Sequence, residues 1–91
     1  MARPHNSPDV FRAVAHPVRR RMLEALRKRD MPASELAQPF RMSQPTISEH
    51  LRALRVAGLI GYRSRGNQHV YSLIRPRLRS LKDWINLFDE A

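Results

Sequence analysis

Apolar residues recur at helical spacing in the middle of the chain. Ile47, Leu51 and Leu54 stand at positions i, i+4 and i+7, which predicts an amphipathic helix with one buried stripe. Ser43 can cap this helix, and Pro45 is tolerated in its first turn because the N–H groups there have no partner within the helix. The face opposite the stripe is polar, so we expect it to stay exposed and to meet a partner.

A β-hairpin is predicted directly after this helix. Gly58 ends the helix as a left-handed C′ residue. Two short β-prone runs follow at residues 59–62 and 70–73, and turn residues stand between them. A hairpin of this size has no core of its own, so we expect its tip to be exposed. Five cationic or polar residues cluster at that tip: Arg63, Arg65, Asn67, Gln68 and His69.

Three helices are predicted before this unit. The first is capped by Ser7 and has Pro8 at its first position. The second runs from Pro17 to about Arg29. The third runs from about Ala33 to Gln38, and Pro39 closes it because proline cannot continue a helix.

Two groups of residues near these helices have two interpretations each. The run Arg19–Arg21 either contacts phosphates or forms a solvated face, on which Arg20 and Glu24 are spaced for an ion pair. Phe40 and Met42 are expected to complete the core at a turn, because apolar residues at element ends mostly serve packing. The alternative for Phe40 and Met42 is contact with a ligand.

The final segment, residues 76–91, carries more apolar surface than one helix face needs. A helix that is apolar over so wide an arc is buried on two sides, and in a chain of 91 residues the second side is most simply another subunit. The alternative is that Trp84 only covers the core of its own domain. The residues expected at the contact are Leu78, Leu81, Trp84, Ile85 and Phe88.

The composition favours an acidic polymer as the partner. Seventeen Lys and Arg residues against eight Asp and Glu give a formal charge of +9, and fifteen of the seventeen are Arg. Arginine forks onto phosphate and guanine better than lysine does. The alternative is that the charge only keeps the protein soluble or reflects arginine-rich codons, so composition alone leaves the partner open.

Several classes of protein are excluded by what the sequence lacks. Without cysteine there can be neither a disulfide nor a thiolate metal site. No apolar run approaches the roughly 18 residues of a membrane span, and residues 1–10 lack the hydrophobic region of a signal peptide, so we expect a cytoplasmic protein. Neighbouring polar side chains on one helix, such as Ser48 and His50, cannot form a catalytic pocket, and we expect no enzyme.

Three stretches resemble, in the same order, the ArsR/SmtB family of winged-helix transcriptional repressors. They are HPVRRRMLEAL at residues 16–26, ASELAQPFRMSQPTISEHLRALRVAGLI at 33–60 and RSRGNQHVYSL at 63–73. The pattern is nearest to metal-independent, autorepressor-like members of the family and covers residues 10–88. A match of several parts in order is far more specific than a helix-turn-helix pattern alone.

The resemblance implies a mainly α-helical fold with a small β-hairpin, a winged helix-turn-helix, as a homodimer. We expect residues 1–6 to form a disordered arm and residues 7–91 to form one DNA-binding domain with a C-terminal dimerisation helix. Because the family's interface is formed by the first and last helices, Phe11 and Val14 are added to the expected contact. The resemblance further implies a sequence-specific repressor that binds an inverted repeat in double-stranded DNA.

The central helix is then a recognition helix for the major groove. Its polar face is expected to read bases through Gln44 to adenine and Glu49 to cytosine, while Pro45 touches a thymine methyl group. The residues of this helix expected at the DNA are Ser43, Gln44, Pro45, Thr46, Ser48, Glu49 and Arg52.

Phosphate contacts are expected from Arg52 on the helix and from Arg63, Arg65 and His69 on the wing, which fix the register without reading sequence. The alternative function is a winged-helix module that holds a protein partner or RNA. Such a module would more often expose large apolar residues on the helix face, whereas this face is polar.

The residues do not indicate a metal sensor. Metal-sensing members of the family place Cys pairs on the third helix or Asp and His ligands on the last one, and neither set is present. His5, His16, His50 and His69 are scattered over different elements and lack zinc-site spacing, and His50 is expected to pack or to contact phosphate. We therefore expect no metal and no cofactor, and the alternative is a metal site assembled across a dimer. The inducer is open between an organic ligand, a partner protein and the protein's own concentration.

Overall fold

The computed structural model describes residues 9–89. Its helices and strands are, in chain order, α1 Val10–Ala13, α2 Pro17–Leu26, β1 Met31–Pro32, α3 Ala33–Ala37, α4 Gln44–Val56, β2 Ile60–Arg65, β3 Gln68–Leu73 and α5 Arg79–Asn86. Short 3₁₀ turns at Pro76–Leu78 and Leu87–Asp89 flank α5. The predicted winged helix-turn-helix is confirmed, with α3 and α4 as the helix-turn-helix and β2 and β3 as the wing.

Helix α1 begins at a side-chain cap. The carboxylate of Asp9 accepts the backbone N–H of Arg12 at 3.0 Å, which satisfies one of the free donors of the first turn. Ser7 and Pro8, expected as cap and first helical residue, lie outside the described residues, as do the residues 1–6 that were expected to form an arm.

Helix α2 is capped by His16, whose Nδ1 accepts the backbone N–H of Val18 at 3.2 Å. The helix ends at Leu26, so the predicted end near Arg29 was wrong. The reason is that residues 27–30 are all polar and exposed, and no apolar side chain holds another helical turn on the core.

The wing belongs to a three-stranded antiparallel sheet in the order β1-β3-β2. Strand β1 places Met31 opposite Tyr71 and Pro32 opposite Val70. The predicted hairpin of β2 and β3 is confirmed. The sequence did not predict β1, because a two-residue strand shows no alternation that could be detected. Pro32 is compatible with β1 because an edge strand can leave one N–H position unused.

Two glycines with positive φ shape the path from α4 into the wing. Gly58 has φ +78°, its N–H donates to the Arg55 carbonyl at 2.9 Å, and the Leu59 N–H donates to the Leu54 carbonyl at 3.0 Å. These two bonds form a Schellman motif, so the predicted helix stop is confirmed. Gly66, with φ +62°, is the first residue of the two-residue turn between β2 and β3.

The core lies between α2, α4 and the sheet. The predicted stripe of Ile47, Leu51 and Leu54 is buried, which confirms the orientation of α4. Phe40 and Met42 are half-buried against the core, as the packing interpretation required. The largest fully buried side chains are Met22, Ile47, Leu54, Leu59 and Ile60.

The last segment is helical but less regular than predicted. The sequence predicted one helix over residues 76–91, whereas α5 is eight residues long and both of its neighbouring turns are 3₁₀. Leu78 and Leu81 are half-buried against the core, and the apolar residues after them are exposed. Within residues 9–89 no helix is long and apolar enough to cross a membrane.

Candidate nucleic-acid interface

The N-terminus of α4 is closed by a pair of hydroxyl groups. The Ser43 Oγ accepts the Thr46 N–H at 3.3 Å and donates to the Thr46 Oγ1 at 3.0 Å. The predicted cap is therefore confirmed, and it uses the Ser43 hydroxyl both as donor and as acceptor. Thr46 is also half-buried. Of the residues predicted to contact DNA, Ser43 and Thr46 therefore stabilise the start of the helix.

The other predicted residues of α4 form one continuous exposed face. In an α-helix, Gln44 and Ser48 are neighbours at i and i+4, as are Ser48 and Arg52, and Pro45 and Glu49 form a parallel row. All five side chains are exposed. Along residues 44–52 the face offers an amide, a hydroxyl, a carboxylate and a guanidinium, which is the range of donors and acceptors that base edges and phosphates require.

His50 is directed away from this face and into the protein. Its side chain is buried, and its Nδ1 accepts a hydrogen bond from the Arg19 Nε–H at 3.1 Å. Burial, followed by the electrostatic effects of the neighbouring His16 and Arg19, lowers the pKa of His50, while Glu49 raises it. Of its two expected roles, packing is the one that the geometry supports, since a buried ring does not reach a phosphate.

The three arginines at the start of α2 are each engaged within the protein. Arg19 donates to His50, Arg20 donates to the Val14 carbonyl at 2.7 Å, and the Arg21 guanidinium lies 5.4 Å from the centre of the Phe40 ring. Arg20 and Arg21 are exposed, which agrees with the solvated face, and Arg19 is half-buried. Arg20 bonds to the Val14 carbonyl, and no salt bridge between Arg20 and Glu24 is formed among the described residues.

The predicted residues at the wing tip differ in whether their side chains are bound by other groups of the protein. Arg65, Gln68 and His69 are exposed, as is the turn between them. Arg63 is exposed too, but its guanidinium forms a salt bridge with the Asp30 carboxylate at 2.9 Å. An exposed pair of this kind contributes little stability, yet it partly neutralises Arg63. Arg65 is thus the stronger source of positive charge at the tip.

An aromatic contact joins the recognition helix to the wing. The Tyr62 and His69 rings are stacked, with centres 4.0 Å apart and planes inclined by 13°. The Arg55 guanidinium, in the last turn of α4, lies 5.7 Å from the centre of the Tyr62 ring. Sequence reasoning missed Arg55 and Tyr62. The strand register, which places Tyr62 opposite Tyr71, would have identified His69 as its diagonal neighbour.

The electrostatic balance of this surface is strongly positive. In the part of the chain that the structure describes, acidic side chains form two salt bridges with arginine, Arg29 with Glu35 and Arg63 with Asp30. The formal charge is +9, so most of the cationic side chains remain available to an external anion. Such a surplus attracts a polyanion and accelerates its association.

An apolar patch lies where α1 meets α5. Phe11 and Trp84 pack edge to face with ring centres 5.7 Å apart, and Trp84 contacts Phe88 in the same way at 5.1 Å. Of the predicted contact residues, Val14, Leu78 and Leu81 are half-buried in the protomer's own packing. The exposed patch consists of Phe11, Trp84, Ile85, Leu87 and Phe88, which are between 42% and 71% exposed.

No metal centre is formed by residues 9–89, where no three His, Cys, Asp or Glu side chains come close enough to hold an ion. His16 and His50 are neighbours, with ring centres 4.4 Å apart. Both of their Nδ1 atoms already accept hydrogen bonds from the protein. This pair therefore serves the packing of α2 on α4.

The chain is similar to known bacterial regulators. The family model described as "Bacterial regulatory protein, arsR family" matches residues 16–62. The transcriptional repressor SdpR of Bacillus subtilis is 36% identical, over 85% of this chain and 86% of that protein. The HTH-type transcriptional regulator Rv2034 of Mycobacterium tuberculosis is 33% identical, over 92% of this chain and 79% of that one. A crystal structure of a possible transcriptional regulator for arsenical resistance matches with a TM-score of 0.81 and 32% identity, covering 91% of this chain and 86% of that chain.

Proposed function

The chain belongs to the arsR family of bacterial regulatory proteins and is a DNA-binding transcriptional repressor, and from this premise we propose that it acts as a homodimer on an inverted repeat. The expectation that it is not an enzyme is confirmed by the same membership, because the relatives are transcriptional regulators. The alternative of a module for a protein partner or RNA is not favoured.

The exposed polar face of α4 is the observation that carries the assignment of the DNA-reading residues. We assign Gln44 and Glu49 to base edges, with Pro45 at a thymine methyl group, because they lie on the exposed first half of the helix. Ser48 and Arg52 stand beside them and are assigned to hydrogen bonds with the backbone or with bases. Ser43 and Thr46 hold the helix terminus that approaches the DNA.

The wing is assigned to sequence-independent contacts. Arg65 supplies a free positive charge at the tip, while Asn67 and Gln68 supply amide groups beside it. His69 contributes a ring nitrogen beside Tyr62, on which its ring is stacked. Arg63 has to exchange the Asp30 carboxylate for a phosphate, so we assign it a smaller share of the affinity than Arg65.

The homodimer is supported by the apolar patch of Phe11, Trp84, Ile85, Leu87 and Phe88. Five neighbouring large apolar side chains on the surface of so small a protein favour an interface, and aromatic residues are enriched in the buried centres of interfaces. A two-fold dimer requires a two-fold target. We expect half-sites whose centres lie about one helical turn, roughly 10 bp, or a multiple of it apart.

Repression would follow from occupation of a promoter by the dimer in the cytoplasm. We propose that no metal takes part, because the described residues bring no cluster of three possible metal ligands together. Residues 7–91 are proposed to act as one domain, with α5 as its dimerisation helix.

Selection of bound duplexes from a random DNA library tests this function. We expect a recovered motif with two-fold symmetry, the same with and without added divalent metals. A variant in which Gln44→Ala replaces the amide should return a motif that is degenerate at one position in each half-site. Recovery of no motif, or of a motif without two-fold symmetry, would contradict the proposal.

A further inference from the structure

His50 is the one buried side chain among residues 9–89 that can ionise near neutral pH. It is on the recognition helix α4, yet it faces α2. The function assigned above uses the exposed face of α4 and leaves this residue without a role. A buried polar group that a protein retains in its packing has to be matched by specific partners.

The partner of His50 fixes its protonation state. The guanidinium of Arg19 is always protonated and can only donate, so the bond from its Nε–H requires a lone pair on the His50 Nδ1. A proton on that nitrogen would place two donors against each other and two positive charges in contact. The bond therefore exists only when the His50 ring is neutral, with its proton on Nε2.

His16 adds a second group with the same requirement. Its ring lies 4.4 Å from the ring of His50, and its Nδ1 caps α2 by accepting the Val18 N–H. The groups that act on His50 are thus His16 and Arg19 from α2 and Glu49 from its own helix. Burial and the two α2 groups lower the pKa of His50, whereas Glu49, which is exposed, opposes them.

The bond from Arg19 to His50 is also the only side-chain hydrogen bond between α2 and α4 in the described part of the chain. We propose that the neutral His50 is a positioning residue, which holds the recognition helix on α2, and that its protonation releases the helix and weakens DNA binding. This proposal rests on the proposed function. It assigns to the protein a built-in sensitivity to acid that depends on no metal or organic ligand.

The direction of the effect follows from proton linkage. In the unfolded chain His50 takes up a proton with the ordinary histidine pKa of 6.5. In the folded chain it takes up the proton only at a lower pH, because its pKa is lowered. Below pH 6.5 the unfolded or released state therefore binds more protons, and the docked arrangement loses stability as the pH falls toward the lowered pKa. Above pH 6.5 the stabilisation is fully present.

The decisive variant is His50→Asn. The Asn amide oxygen stands near the position of the imidazole Nδ1 and can accept from Arg19, but it does not titrate. Fluorescence anisotropy with the selected duplex at about pH 7.5 and about pH 5.5, at fixed ionic strength, gives the ratio of dissociation constants for each protein. His69 is present in both proteins, so comparison of the two ratios isolates His50.

We expect the wild-type protein to lose about threefold more affinity on acidification than His50→Asn, because only the wild-type protein has a proton to take up at this position; a full unit of pKa difference would set the limit at about tenfold. Circular dichroism at both pH values should show that the helices are retained. Equal ratios for the two proteins would overturn the proposal, as would unfolding of both proteins at the same pH.

Histidine NMR of the wild-type protein provides the second measurement and does not depend on whether the variant folds. We expect His50 to titrate below 6.5, together with shifts of the α4 amide signals and loss of the Arg19 Nε–H signal. Titration of His50 at or above its ordinary pKa, with unchanged α4 signals, would contradict the proposal. If no duplex binds at any pH, the proposed function fails, while this titration still decides whether His50 holds α4.

Discussion

The Arg55 guanidinium lies 5.7 Å from the centre of the Tyr62 ring, which connects the last turn of the recognition helix to the first strand of the wing. Tyr62 in turn stacks on His69 of the second strand. Between Arg55 and Tyr62 the chain passes through the Schellman motif, in which Gly58 has a positive φ. This motif fixes the direction in which the chain leaves the helix. The wing is thereby held at a defined angle to α4, and we expect a duplex that meets the helix to meet the wing as well.

Replacement of Tyr62 tests this connection. We expect Tyr62→Ala to weaken binding of all sequences by about 1 kcal/mol, because an exposed cation–π contact is worth about that much and the wing becomes less ordered. Tyr62→Phe keeps the ring and serves as the control. Because neither change removes a cation, the slope of affinity against salt should stay as in the wild-type protein; a reduced slope would mean that Tyr62 acts through a phosphate contact instead.

Base reading and phosphate anchoring should give different signatures. Gln44→Ala is expected to cost about 1 to 3 kcal/mol on the selected site and to relax preference at one base position. Arg65→Ala should weaken all sequences alike and reduce the salt slope by about one unit. Arg27→Ala removes the same charge from the exposed end of α2 and is the matched control, for which we expect little change.

Titration of these three variants against cognate and scrambled duplexes at several salt concentrations provides the measurement. The division between helix and wing would be wrong if Gln44→Ala and Arg65→Ala showed the same sequence profile and the same salt dependence. An equal loss for Arg27→Ala would mean that net charge, rather than the wing tip, determines the effect.

The apolar patch predicts the oligomeric state. Phe88 is 71% exposed, so Phe88→Glu should leave the protomer folded while it places a charge in the proposed interface. We expect sedimentation velocity to show a dimer for the wild-type protein and a monomer for this variant at micromolar concentration. Val56→Glu, at a residue that is 61% exposed outside the patch, is the control and should remain dimeric. A compact wild-type monomer that still binds the inverted repeat tightly would refute the interface.

Some features of this structure could be predicted because they depend on residues that are close together in the chain. The stripe of Ile47, Leu51 and Leu54 and the stop at Gly58 each depend on residues within a few positions of one another, and both were found from the sequence. The fold as a whole followed from the resemblance of three ordered stretches to one family.

Most of the features that were missed depend on residues distant in the chain. Arg19 and His50 are 31 positions apart, and Asp30 and Arg63 are 33 apart. No periodicity or spacing links such residues before the packing of the elements is known. The same holds for β1, which exists only because β3 passes beside Met31 and Pro32.

A comparison of Gly58 with Gly66 separates two effects of a side chain on the free energy of unfolding: the strain of a left-handed backbone and the steric clash with a neighbouring side chain. Both have positive φ, which costs an L side chain about 1 to 2 kcal/mol. A Cβ at Gly58 would also lie 2.5 Å from the Arg77 Nε, whereas one at Gly66 would meet nothing within 4 Å. In chemical denaturation we expect Gly58→Ala to destabilise the protein more than Gly66→Ala, and Arg77→Ala in the background to remove the difference. If the difference persists in that background, crowding by Arg77 is not its cause.

The response to metals provides the last prediction. Zn²⁺ and related ions bind tightly where thiolate, imidazole and carboxylate ligands converge, and the chain has no cysteine. Among residues 9–89 no cluster of three possible ligands exists, and the neighbouring rings of His16 and His50 use their Nδ1 atoms as acceptors within the protein. Recruitment of this pair by an ion would have to break the cap of α2 or the bond from Arg19, which opposes binding. We therefore expect calorimetric titration with Zn²⁺, Ni²⁺ and Cu²⁺ to show no submicromolar site. The affinity for DNA should be unchanged by these ions at matched ionic strength. One tight site per protomer with a matching release of DNA would instead identify the protein as a metal sensor.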